Sequence, residues 1–107
     1  MRRYCLVSAL LAVDLNSMQV GPALSVGKDP DVLAFDNGTK RLYVAAESGH
    51  VKVFQEANRT LEEVGELHLP HAHTVAVDSK THLAYFPLED MDGKPVLRIM
   101  EWAGHTR

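Results

Sequence analysis

Three histidines, His68, His71 and His73, fall close together in the second half of the chain. On an extended strand His71 and His73 point to the same side, and two imidazoles so placed could share a transition metal. A closed zinc site needs a fuller ligand set, and no nearby Cys or Asp completes it, so His68, His71 and His73 are weak metal candidates. The plainer reading is a polar loop whose imidazoles bond neighbouring backbone. Among the carboxylates, Asp29, Asp31, Asp36 and Asp78 could supply a pair for general acid–base work. Asp36 and Asp78 occupy the same place in an internal repeat, which suits a turn cap, whereas Asp31 aligns with His73 at the start of a strand.

Other chemistry is poorly represented. Glu89-Asp90-Met91-Asp92-Gly93 resembles a piece of a calcium loop but lacks the terminal Glu at the right spacing. It is expected to form a long hairpin loop running on to Lys94. Cys5 has no matching His and Asn or Asp beside it, and neither a nucleophile elbow nor a Gly-rich phosphate loop occurs. The sequons Asn37-Gly38-Thr39 and Asn58-Arg59-Thr60 fall in expected turns. No catalytic constellation emerges, so the expectation is a non-enzymatic chain without a cofactor.

The elements that must hold these residues read as short strands. Asp31 to Val44 and His73 to Tyr85 resemble each other: Phe35-Asp36 falls on Val77-Asp78, and Leu42 falls on Leu83 if one residue is lost in the turn. Such a period suits four short strands per unit. Val32 to Phe35 is an apolar run fit for a strand buried on both faces, and Asp36-Asn37-Gly38-Thr39 supplies a turn. Arg41 to Ala46 and His50 to Phe54 follow as strands around Ser48-Gly49, and Ala57 to Thr60 turns again. Leu61 to Leu69, with Glu62, Glu63, Glu66 and His68, suits an outer strand facing water; a short helix competes there, but Gly65 weakens it. Met18 to Val26 reads as the outer strand of a preceding unit, and Pro95 to Trp102 as the third strand of a following one. The aromatics Tyr43, Phe54, Tyr85, Phe86 and Trp102 fall on strands and read as core.

Length and charge narrow the function classes. With 107 residues the chain is one domain at most, and 46% hydrophobic residues argue against disorder. The net charge of −3, with no Lys or Arg stripe, gives no reason to expect nucleic acid or an anionic membrane surface. The single cysteine leaves no internal disulfide. Met1-Arg2-Arg3 and the apolar Tyr4 to Val13 could be a short secretory signal, although Ser8 interrupts it and no clear cleavage site precedes Asp14. The competing reading makes Leu10 to Leu15 a strand of a preceding repeat. The apolar stretch is too short to span a bilayer.

Val26-Gly27-Lys28-Asp29-Pro30, Ala34-Phe35-Asp36 and Leu42-Tyr43-Val44 together resemble the repeat of the YVTN-family β-propellers, and Pro70 to Asp78 resembles the start of the next copy. The resemblance covers roughly residues 10 to 102. It implies an all-β partial propeller of antiparallel four-stranded blades: residues 1–27 end one blade, 28–69 form a complete blade, and 70–107 start the next. Because the first strand of each blade lines a central channel in that family, the resemblance makes Asp31, His71 and His73 candidate ligand-binding residues of the channel face. The function it implies is a non-catalytic binding or interaction scaffold, a fragment of a larger propeller. Its partners would be an unknown protein or small ligand, with missing blades or self-association completing the wheel. A second expectation is a remnant of a histidine-ligated, metal-dependent propeller oxidoreductase. A periplasmic or secreted location follows from the resemblance alone.

Overall fold

The computed structural model describes residues 2–6, 9–28, 30–58, 60–70, 72 and 74–102. It is all-β among these residues, with ten strands in three antiparallel sheets that the chain visits in order. Sheet 1 holds β1 (Arg2–Leu6), β2 (Leu10–Asp14) and β3 (Gln19–Val20). Sheet 2 holds β4 (Pro30–Asp36), β5 (Arg41–Ala46), β6 (His50–Ala57) and β7 (Thr60–His68). Sheet 3 holds β8 (Ala76–Val77), β9 (Leu83–Met91) and β10 (Lys94–Glu101). Each sheet is a meander, every strand pairing with its neighbour in sequence. The first strand of sheet 2, β4, packs beside both β1 and β8.

Sheet 2 is sandwiched between the other two, and β5 shows this most directly. Every residue from Arg41 to Ala46 is buried. Side chains alternate between faces with period two, so Leu42 and Val44 join Leu10 and Phe54 in one apolar core. Tyr43 and Ala45 point the other way, into a core completed by Ala84, Phe86 and Leu88 of sheet 3. A strand coated on both faces needs apolar residues at every position, which explains the unbroken Leu-Tyr-Val-Ala-Ala run. The expected doubly buried strand over Val32 to Phe35 is only half-buried; β5 has that role instead.

Several expected elements differ in extent. Met18 to Val26 yields only the short β3 and an isolated bridge between Leu10 and Leu24, because Pro22 in its middle carries no N–H for a ladder. The long loop expected over Glu89 to Lys94 is a tight hairpin: β9 continues to Met91, and Asp92-Gly93 turns with φ of 56° and 83°. Asp-Gly with both φ positive is the signature of a primed two-residue turn, whose twist matches that of the strands. Leu61 to Leu67 is strand, with no helix. The residue supposed lost from the second turn is present: Lys40 and His82 hold corresponding places, and the pairs Phe35–Leu42 and Val77–Ala84 are equivalent in register. Among the described residues no helix is long and apolar enough to cross a membrane.

Candidate functional site

Asp31 lies exposed in β4, and His68 closes β7, also exposed. His71 and His73 lie outside the described residues, so the expected grouping with them is not described. His68 stands opposite His50 on β6, the two ring centroids 4.9 Å apart and the planes at 68°. His50 escaped the sequence reading because it is distant in sequence from the other histidines. Among the described residues no group of three or more His, Cys, Asp or Glu could hold a metal.

Among the described residues, the most elaborate polar site lies where the β4–β5 and β8–β9 turns meet. Both turns are built alike. Asp36 Oδ1 accepts the Gly38 N–H at 2.9 Å, and Asp78 Oδ1 accepts the Lys80 N–H at 2.9 Å. The chain then closes through N–H bonds from Lys40 to the Asp36 carbonyl and from His82 to the Asp78 carbonyl, each 2.7 Å. Lys40 and His82 both take positive φ, 61° and 64°. A third copy of this geometry stands in sheet 1, where Asp14 Oδ1 accepts the Asn16 N–H at 2.9 Å and Met18 has φ 60°. Aspartate suits the first position because its short side chain can bond the backbone two residues ahead.

The two turns of sheets 2 and 3 are also joined. His82 Nδ1 lies 2.9 Å from Asp36 Oδ2, the Thr39 hydroxyl donates to the same oxygen at 2.9 Å, and the Asn37 N–H donates to Ser79 Oγ at 3.3 Å. A carboxylate only accepts, so His82 carries its proton on Nδ1 here. The junction is close enough to require glycine at position 38. A Cβ there would come within 2.6 Å of His82 Cε1 and 2.9 Å of the Ser79 carbonyl oxygen. Asp36 is fully buried. Burial pushes its carboxyl up, but the Thr39 hydroxyl, the Gly38 N–H, His82 and the Thr39 N–H together hold it below the usual aspartate value.

Asp, His and a hydroxyl side by side invite comparison with a nucleophilic triad, and the bond directions decide against it. In a triad the imidazole stands between carboxylate and hydroxyl and takes the hydroxyl proton. Here Thr39 and His82 both donate to the same Asp36 oxygen, so the imidazole does not stand between carboxylate and hydroxyl. The arrangement orients two turns against each other rather than activating a nucleophile.

A second feature lies further along the interface of sheets 2 and 3. A cleft of about 250 Å³ is lined by Tyr43, Val53, Leu67, Phe86, Met100 and Trp102. Trp102 covers Gly65, where a Cβ would stand 2.9 Å from the indole ring, and the Arg41 guanidinium lies 5.2 Å from the ring centroid. Burial raises the Tyr43 hydroxyl above its ordinary value, with Arg41 pulling it down. No family model, curated protein or solved structure matches the chain.

Proposed function

We propose that this chain is a non-catalytic segment of a β-propeller of the YVTN type, one complete blade between two incomplete ones, serving as part of a binding scaffold. The observation that carries the reading is the pair of like turns at Asp36 and Asp78, 42 positions apart and stacked through the Asn37 to Ser79 bond. A repeat whose copies sit side by side, each against its neighbour in chain order, is what an array of blades requires. Meander sheets visited in chain order, with β4 beside β8, support it.

Sheet 3 supports it further. The face of sheet 2 that bears Tyr43 is covered by sheet 3. The corresponding face of sheet 3 bears Tyr85 with its cross-strand partner Ile99, and Leu97 opposite Pro87. Leu97 and Ile99 are 56% and 52% exposed, as expected of a blade whose neighbour is absent. Light scattering on the purified chain, with a urea melt on the same sample, tests the reading. Self-association, or a shallow transition in a monomer, is the expected result. A monodisperse monomer with one steep, fully cooperative transition would mean a self-sufficient small domain and would overturn the proposal.

A further inference from the structure

The end of sheet 2 at which β6 begins and β7 ends gathers imidazoles from two strands. His50 is the first residue of β6 and His68 the last of β7, and they are direct cross-strand partners. Side chains of such a pair share a face, and these two rings meet edge to face at 4.9 Å between centroids. From this geometry we infer a metal site: His50 and His68 together chelate a divalent first-row cation that favours imidazole, such as Zn²⁺.

Three observations carry the inference. The two imidazoles come from adjacent hydrogen-bonded strands, so their Cβ separation is set by the sheet rather than by a loop. The two rings already lie with their centroids 4.9 Å apart, and the Cβ–Cγ torsion that turns each ring is a broad one for histidine. The backbone beneath is also held firmly. The Leu69 N–H donates to the Gly49 carbonyl at 2.8 Å, and the Gly49 N–H to the Ala46 carbonyl at 2.9 Å. Gly27 approaches so closely that a Cβ there would lie 2.9 Å from His50 Cβ.

Lys52, on the same face one rung along, has its Nζ 3.3 Å from a Glu63 carboxylate oxygen and 3.3 Å from the Ser25 carbonyl oxygen. Glu66 is the cross-strand partner of Lys52 and lies exposed. With His68 exposed, the remaining coordination positions face water, giving an open site.

The test is a Zn²⁺ titration of the whole chain, followed by calorimetry and by the histidine side-chain ¹⁵N resonances. We expect binding at one ion per chain with the His50 and His68 resonances moving together. His50→Gln or His68→Gln should weaken binding at least about tenfold, the equivalent of losing roughly 1.4 kcal/mol. The double variant His71→Gln/His73→Gln should bind as the parent does. Each variant's far-UV circular dichroism checks that it is folded, and His68, being exposed, is the safer of the two to replace. Unchanged affinity in folded His68→Gln, or loss of binding in the His71→Gln/His73→Gln variant, overturns the assignment.

Discussion

Replacing Asp36 by Ala measures what joins sheet 2 to sheet 3. The carboxylate is fully buried and receives the Gly38 N–H, the Thr39 hydroxyl and His82 Nδ1, each at 2.9 Å. Hydrogen bonds to a charged group contribute roughly 1.5–3 kcal/mol each when the partner is left unsatisfied by the deletion. Gly38 is exposed and the His82 side chain is 42% exposed, so water can replace two of these partners. Discounted on that ground, Asp36→Ala should cost about 2–4 kcal/mol, towards the cost of breaking a buried pair. For a domain of this size that is roughly 10–20 °C in melting temperature.

Asp78→Ala removes the same turn bond, to the Lys80 N–H, at a position that is not fully buried, and should cost distinctly less. The difference between the two variants isolates the contacts that Asp36 alone makes. A double-mutant cycle of Asp36→Ala with His82→Ala should then show a coupling of about 1 kcal/mol, since the imidazole side is partly solvated. Urea melts can be followed by the fluorescence of Trp102, the only tryptophan. If Asp36→Ala costs no more than Asp78→Ala, or if the cycle closes to within about 0.3 kcal/mol, the strut between the two turns carries no stability and the reasoning is wrong.

Stability should fall with acid. The folded Asp36 carboxyl lies below its unfolded value of 3.8, so its contribution is complete above about pH 4 and is lost as the pH drops through the lower folded value. Melts between pH 2 and pH 6, compared with Asp36→Asn, would show that loss flattened in the variant. Gly65→Ala should displace the indole, whose ring atoms would stand 2.9 Å from the new Cβ, costing about 1–3 kcal/mol and shifting Trp102 emission to the red. Phe86→Ala, which empties a fully buried ring between sheets 2 and 3, should cost about 3–5 kcal/mol in the same urea melt. Leu97→Lys with Ile99→Lys should leave the melt nearly unchanged but reduce any self-association seen by light scattering, because both side chains lie on the uncovered face.

How much of this was legible in the sequence depends on the range of each interaction. Arg41–Ala46 could be recognised as a strand from its own residues, and the Asp36 and Asp78 turns from their composition. The tight Asp92-Gly93 hairpin was missed because the acidic run around it suggested a loop, although Asp-Gly is itself a hairpin signal. Contacts between sheets were the least legible. Nothing in the spacing of Gly65 and Trp102, of Asp36 and His82, or of His50 and His68 marks them as partners. The one available clue was alignment of the repeat without a gap. That sets His82 on Lys40, the turn position at which each copy takes positive φ, and suggests that this residue has a place in the junction.

The same five-residue turn does different work according to what stands beside it. In sheet 1, Met18 takes the strained position and is 70% exposed, so its side chain is turned to solvent. In sheet 3, His82 takes that position, and its ring reaches back to the buried Asp36 of sheet 2. The local bonds alone therefore cannot explain why Asp36 is buried. What distinguishes it is a histidine supplied 46 residues later by the next sheet, with Gly38 leaving room for the approach. The polar junction of sheets 2 and 3 therefore cannot form within one sheet: the Asp36 turn forms locally, and its carboxylate gains the His82 bond only when sheet 3 docks. Formation of the Asp36–His82 pair should accordingly come late, so that Asp36→Ala speeds unfolding far more than it slows folding. Stopped-flow urea jumps on Trp102 fluorescence would show this as a change confined to the unfolding limb. A change confined to the folding limb would place the docking of sheet 3 in the nucleus.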